Sequence, residues 1–405
     1  MNYSINDGTI LVELEKKVDT INARRVEEEL DHLVKENHGL KLQLDAEKLE
    51  YISSAGLRVL LKIWKTQGCL RMINVSRGVY EILEVTGFLD LLDIKRKIRE
   101  ISLDGCELIS KGVNGEVYRL DGDTILKLFH EDKDLETISQ ENRYVTAAFT
   151  NGVPCAISYD TVKAKGRYGI VFELINAVTV GKAVDDDPGL IPELGKKMGA
   201  LMKLLHTTDM SDELLPQMSE KVNQWIDSLE DKYLSHEDAE LMRSLAGAIP
   251  ETDTLVHGDF HEGNVMVQDD ELILIDMDDI SIGNPLFDLA DHYLSHVVSA
   301  KANYDSVLQA MGIKAETAIA MRKYTMMEYL GTDEEKVLEA YDEKMQLISL
   351  FFTVLFLARE KGTMTFTPEG IQDLLGNTLP RLREKAAQIR EVFSQADSLY
   401  GLPQM

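Results

Sequence analysis

His257-Gly258-Asp259-Phe260-His261-Glu262-Gly263-Asn264-Val265-Met266-Val267, running on through Gln268-Asp269-Asp270-Glu271-Leu272-Ile273-Leu274-Ile275-Asp276, is the segment on which the reading turns. An acid at 259 is followed five residues later by an amide at 264. That spacing suits phosphoryl transfer: the carboxylate accepts the proton of an attacking hydroxyl, and the amide oxygen binds a cation that neutralises the triphosphate. Val265–Gln268 and Glu271–Ile275 are short apolar runs on either side of Asp269-Asp270, a pattern that predicts a hairpin with a two-residue turn. In that register Asn264 lies opposite Ile275, beside Asp276, so two metal-binding side chains meet at the open end of one hairpin. The bland alternative is an acidic turn next to a buried histidine. Spacing, residue types and register together favour the chemistry.

The chain upstream holds what the reaction still needs. Lys111-Gly112-Val113-Asn114-Gly115-Glu116-Val117-Tyr118 reads as a hairpin whose Gly112, Asn114 and Gly115 lie over phosphates. Lys127 stands inside the apolar strand Thr124-Ile125-Leu126-Lys127-Leu128-Phe129. A lysine there is costly unless paired; the alternative is an edge-strand lysine that snorkels to water. Its expected partners are nucleotide phosphates and a helix glutamate, Glu141, with Glu136 as the rival. Gly169–Ile175 reads as a strand entering a connector, where Glu173 and Ile175 would offer backbone groups to adenine. Asp276-Met277-Asp278 stands where protein kinases carry Asp-Phe-Gly.

The chain has 405 residues, enough for two or three domains at about 100–200 residues each. Its three scattered cysteines are in no metal spacing and point to a reducing compartment. The first residues carry no basic start or apolar signal core. The most apolar run, Leu347–Ala358, is too short to span a bilayer and reads as a buried helix, so the expectation is a cytoplasmic protein with no membrane partner. Net charge is −27, yet residues 1–100 carry 16 basic and 17 acidic side chains. The acidity is therefore confined to the remainder, which argues for two modules and against nucleic acid as a partner of the second. It serves either solubility or an acidic cleft for a cationic substrate.

Residues 1–100 alternate between strand-like and helix-like segments: Gly8–Leu14, Asn22–Glu36, Leu40–Leu44, Ser54–Trp64, Leu70–Val75 and Val79–Val85. This alternation predicts a sheet with helices packed on it. Leu57, Leu60, Leu61 and Trp64 mark the inward face of one helix. Ser54 stands at the expected N-cap of that helix, where a hydroxyl or a phosphate is stabilised. Lys95-Arg96-Lys97-Ile98-Arg99-Glu100 breaks the alternation and places a boundary near 100. Strands around one helix follow to about 173, and from about 180 the chain reads as mostly helical.

Residues from about 104 to 400 resemble the aminoglycoside phosphotransferase/choline kinase-like family, through His257-Gly258-Asp259, Asn264, Ile275-Asp276 and Gly283-Asn284-Pro285-Leu286-Phe287-Asp288-Leu289-Ala290. Gly258 stands where protein kinases usually carry arginine, which points to the small-molecule branch. The resemblance implies Asp259 as base, Asn264 and Asp276 as magnesium ligands, Lys127 on ATP phosphates, and Asp288, with His257, as braces of the loop. Residues 1 to about 98 resemble a STAS domain of the anti-sigma-factor antagonist type. Val18–Ala23, the Asp45–Leu61 segment, Asn74-Val75-Ser76 and Val85-Thr86-Gly87 carry that likeness. It implies phosphorylation at Ser54 and a partner resembling an anti-sigma factor.

The expected organisation is an α/β sheet-and-helix domain over 1–100, then a two-lobed kinase-like α+β domain. Its smaller lobe and hinge cover 101–178, and a helical lobe bearing the catalytic loop covers 179–405. The expected function is ATP-Mg-dependent transfer to a small-molecule hydroxyl. The alternative is a partner-switching regulator whose kinase-like part phosphorylates Ser54 or senses nucleotide. The helices after 290 show no acceptor motif, and Lys323, Glu328 and Tyr329 are either substrate contacts or ordinary surface residues.

Overall fold

The computed structural model describes residues 1–6, 8–37, 39–112, 115–211, 215–230, 232–302, 305–359 and 366–396, the side chains of 305–307 aside. The chain divides into two compact units, Met1–Ser102 and Leu103–Met405.

In the first unit the strand Thr9–Glu13 alternates half-buried and buried residues, the period-two pattern of a sheet facing a core. It pairs in parallel with Lys41–Asp45, which pairs with Arg71–Val75, which pairs with Asp93–Arg96. Tyr3–Asn6 closes the far edge antiparallel to Thr9–Glu13. Two of these strands lay outside the alternation read from sequence. Asp93–Arg96 overlaps the charged stretch from Lys95 that breaks the sequence pattern, because its charged side chains hide an edge strand. The helix Ala23–Glu36 buries Ala23, Val26, Leu30 and Leu33, spaced three and four apart. The helix Ser54–Gln67 buries Val59, Leu60 and Ile63, so its inward face is turned from the expected one. Leu57, Leu61 and Trp64 flank the core instead. Its N-cap is Ser53, whose Oγ accepts from the backbone N–H of Ala55 (3.2 Å) and Gly56 (3.4 Å). Ser54 is the first helical residue and is exposed. The expectation that Ser54 caps the helix is thus corrected by one residue.

The second unit begins with antiparallel strands. Across the sheet Ser158–Ala164 lies beside Arg167–Glu173, then Thr124–Phe129, Gly115–Arg119 and Glu107–Lys111. The helix Leu135–Thr150, capped by Asp134 on the Thr137 N–H (2.9 Å), covers the sheet. Gly115 has φ 152°, and a Cβ there would meet the Leu128 carbonyl at 2.1 Å. Only glycine lets the two strands approach so closely.

After Val178 the chain is mainly helical, with Ala315–Leu330 packed along Ile191–Thr207. The helix Glu335–Ala358 contains the apolar run and buries Phe351, Phe352, Leu355 and Leu357 in the core. Among the described residues no helix is long and apolar enough to cross a membrane.

Candidate active site

The hairpin forms in the expected register, with Val265 opposite Leu274 and Gln268 opposite Glu271. Asp269 and Asp270 take φ 47° and 70°, the left-handed pair of a type I′ turn. The Ile275 N–H donates to the Asn264 carbonyl (2.9 Å), so Asn264 and Asp276 share the open end. Asn264 Nδ2 donates to both the carbonyl (3.0 Å) and the Oδ2 (2.9 Å) of Asp259. That fixes the acid's rotamer and leaves Oδ1 as the remaining ligand atom of Asn264. His261 Nε2 lies 3.5 Å from Asp259 Oδ2.

Asp288 grips this loop from behind. Its Oδ2 accepts from the His257 N–H and its Oδ1 from the Gly258 N–H, both at 2.7 Å. His206 Nε2 bonds the same carboxylate (3.1 Å), and Tyr329 OH bonds His206 Nδ1 (2.9 Å). Tyr329 is therefore fully buried, neither a surface residue nor a contact of the cleft. Burial would raise the Asp288 carboxyl, but the hydrogen bond from His206 and the neighbouring histidines hold it below its ordinary range. His257 is buried, and its Nδ1 accepts from the Asp259 N–H (3.2 Å). Gly258 has φ 77°, and a Cβ would meet the Asp279 carbonyl at 2.8 Å.

Arg359, beyond the reach of any motif, completes the loop. It donates to the Gly258 carbonyl and to Asp291 Oδ2, sits 3.7 Å from Asp279 and lies 5.4 Å from the centre of the Trp225 ring. Burial opposes its charge, but Asp291, Asp279 and Asp259 outweigh that and keep the guanidinium charged.

The opposite wall comes from the sheet. Lys127 Nζ donates to Asp276 Oδ1 (2.7 Å) and to Asp278 Oδ2. Its partners are thus these two carboxylates rather than Glu141. Burial disfavours the ammonium, yet Asp278 and Asp276 hold it charged above the usual lysine range. Asp276 takes φ 57°, a left-handed conformation that turns its carboxylate out of the strand path. Glu141 lies on the helix Leu135–Thr150, and its Oε2 is buried without a hydrogen-bond partner among the described residues. Burial and then Asp278 push its carboxyl up to about 7. Glu136 is exposed. Gly112 donates its N–H to the Gly115 carbonyl (2.8 Å), and no packing demands glycine at 112. Asn114 lies outside the described residues. The Glu173 carboxylate accepts from the Ile157 N–H (2.7 Å), which ties its side chain to the sheet.

These walls enclose a cleft of about 1000 Å³, lined by Gly112, Gly115, Lys127, Glu173, Ile175, Asp259, Asn264 and Asp276, among others. Glu141, His257 and Asp288 stand behind it. The sequence alone left Asp291, Arg359 and His206 unnoticed. Their hydrogen-bond partners lie 68 to 123 residues away, so no local pattern announces them.

Residues 105–320 match the phosphotransferase enzyme family. The chain belongs to that family. Residues 1–101 match the STAS domain. The Bordetella bronchiseptica protein BtrV, provisionally named an anti-sigma factor antagonist, is 36% identical over 92 residues, 22% of this chain and 78% of that protein. Solved structures similar to this phosphotransferase include APH(2'')-IIa in its ternary complex with streptomycin and ATP, at 17% identity and TM-score 0.44, covering 68% of this chain and 92% of that one. ADP-bound APH(2'')-Ib matches at 16% identity and TM-score 0.44, over 78% and 98%. Apo macrolide 2'-phosphotransferase MphH from Brachybacterium faecium matches at 15% and 0.36, over 74% and 92%. The protein is an ATP-dependent phosphotransferase of the kinase-like fold joined to a STAS domain.

One further cluster of this phosphotransferase invites a metal reading. Glu262, His292 and His296 are buried within ligand distance of one another. His296 Nε2 bonds both Glu262 oxygens (2.8 and 2.9 Å). Arg322 Nη1 donates to His292 Nδ1 (3.0 Å), which places the ring proton on Nε2 and a positive charge at the site. Burial, then His296 and Arg322, hold His292 neutral. The cluster is a hydrogen-bonded brace from Glu262, two residues before Asn264, to the π-helical turn Leu294–Val298.

Proposed function

We propose that the protein transfers the γ-phosphoryl group of ATP to a hydroxyl of a small molecule, with the STAS domain as a regulatory module. The observation that carries this is the placement of Asp259. Its carboxylate is fixed by Asn264 at the mouth of the cleft into which Lys127, Asp276 and Asp278 converge. Residues 101–178 would form the nucleotide lobe and its hinge, with Glu173 and Ile175 beside the adenine. Residues 179–405 would form the acceptor lobe.

Asp259 takes the proton of the acceptor hydroxyl while that oxygen bonds to the γ-phosphorus. The bond from γ-phosphorus to the β–γ bridging oxygen breaks, and ADP leaves with the electron pair. Lys127 exchanges a carboxylate for a phosphate oxygen. Gly112 and Gly115 let the backbone approach the phosphates. The donor set of Asn264, Asp276 and Asp278 is all oxygen, and two of its carboxylates already share one cation, the Lys127 ammonium. It fits magnesium, which when bound neutralises the triphosphate. Positioning and electrostatics then supply most of the rate.

Asp259→Asn should lower turnover by about 10³-fold, measured as ADP release, while nucleotide binding persists. Wild-type turnover in that variant would overturn the assignment. A second reading has an observation of its own. Ser54 is exposed at the first turn of its helix, and Ser53 already holds the cap. The hydroxyl of Ser54 therefore suits modification, by the attached kinase or by a partner resembling an anti-sigma factor. Mass spectrometry after ATP-Mg treatment decides this: phosphate on Ser54 that vanishes with Asp259→Asn supports modification by the chain itself. The chemistry fits a cytoplasmic protein, where ATP is abundant.

A further inference from the structure

We infer that the acceptor is an uncharged alcohol with an apolar body, and not a polycation; this rests on the phosphotransferase reading above. The acceptor side of the cleft is built by the π-helical turn Leu294–Val298 and by the helices Glu335–Ala358 and Pro368–Ser394. Val298, Phe356 and Leu374 from these segments line it together with Phe366, two residues before the last helix, and each is only partly buried by the core. Phe356 lies one turn before Arg359, whose guanidinium bonds the Gly258 carbonyl next to Asp259. The apolar wall is therefore continuous with the catalytic loop.

Charge on this wall is cancelled. Among the described residues its only charged groups apart from Asp259 are Asp291 and Arg359, and they bond each other. Arg359 has its remaining Nη on the Gly258 carbonyl, so it offers little to an anionic acceptor either. The other carboxylates of the cleft are Asp276 and Asp278, both on Lys127, and Glu173, tied to Ile157. Of the five carboxylates that line the cleft among the described residues, Asp276, Asp278 and Asp291 are thus paired with Lys127 or Arg359. On the apolar wall itself, a ligand with several ammonium groups would bury most of them without partners, at heavy cost. Ser295, Ser299 and Thr353 are the neutral polar side chains on the wall among the described residues, enough to orient a hydroxylated ligand by hydrogen bonds.

Transfer to such an alcohol needs only ATP: the alcohol oxygen gains the phosphoryl group, its proton goes to Asp259, and ADP departs. Apolar contact sets the affinity, at about fourfold for each methylene buried.

The test uses the full chain loaded with magnesium and a non-hydrolysable ATP analogue. N-phenyl-1-naphthylamine, a neutral apolar fluorophore, is titrated, then displaced with hexyl glucoside, octyl glucoside or kanamycin. The expected result is saturable binding, displaced more than fourfold better by octyl than by hexyl glucoside, and not by kanamycin. Leu374→Asp and the milder Phe356→Ala should weaken it about tenfold and about threefold while the analogue still binds, which shows that the variants are folded. No saturable binding, binding indifferent to both variants, or displacement by kanamycin would overturn the inference. Asp259-dependent ADP release, assayed separately, reports on the phosphotransferase reading. If that release persists while probe binding fails, only the acceptor assignment falls.

Discussion

Asp288 shows how much one buried carboxylate can organise. Its two oxygens satisfy the backbone N–H groups of His257 and Gly258 and one histidine, His206. Asp288→Ala would leave the His257 and Gly258 donors buried and unpaired, a loss of about 2–4 kcal/mol in urea denaturation. Asp288→Asn keeps one acceptor and should lose less. Arg359→Met removes the bond to Gly258 and leaves Asp291 unpaired. Turnover should fall by about 10- to 100-fold while KM for ATP changes less than about twofold. Equal loss of both parameters would show a general fold defect instead. Glu141 carries a pH signature. Its folded carboxyl titrates at about 7, above the ordinary glutamate value, so ionisation destabilises the fold. The penalty appears as pH rises from about 4.5 and is complete above 7. Glu141→Gln should therefore stabilise the nucleotide-free protein by on the order of 2 kcal/mol at pH 8 and by less at pH 5.5, read from denaturation midpoints.

At the scale of elements, the hairpin Val265–Gln268/Glu271–Leu274 was legible in the sequence to the residue. Its signal is local: short apolar runs and a two-residue turn, with Asn264 and Asp276 at the ends. The turn itself is not optimal. Asp269 and Asp270 both hold positive φ, which costs a residue with a Cβ. Asp269→Asn with Asp270→Gly, the preferred pair for this turn, should raise stability by about 0.5–1 kcal/mol with activity unchanged. A loss of stability would mean that the Lys197–Asp270 ion pair (3.6 Å) matters more than the turn. The helix Ser54–Gln67 was legible in extent but not in phase. Its apolar residues spread over more than one face, and contact with the sheet chose Val59, Leu60 and Ile63.

Across the whole molecule, the phosphotransferase unit rests on buried carboxylates that must stay ionised. Burial raises Glu262 and Asp288, but His296 and His206 bring both below their ordinary range. A depressed folded value means stability that is present above the unfolded value, near pH 4, and lost as pH falls through the folded one. The phosphotransferase unit should thus unfold in acid below about pH 4. With Trp64→Phe, the fluorescence of Trp225 reports that unit alone, since the chain has two tryptophans. His296→Ala leaves Glu262 buried without its partner, and should cost about 3–5 kcal/mol and shift the Trp225 acid transition to higher pH.

The sequence by itself determined the two-module order, the hairpin with Asp259, Asn264 and Asp276, and the lysine strand. Each of those signals lies within a few consecutive residues, where spacing and alternation translate directly into geometry. Tertiary packing decided that Lys127 pairs with Asp276 and Asp278, that Ser53 and not Ser54 caps its helix, and that Arg359 reaches the Gly258 carbonyl. It also brought Val298, Phe356, Phe366 and Leu374 together as an apolar wall of the cleft. Net charge records only the balance of acidic and basic side chains, while packing fixes which carboxylates face a cleft and which are already neutralised by a partner far away in sequence.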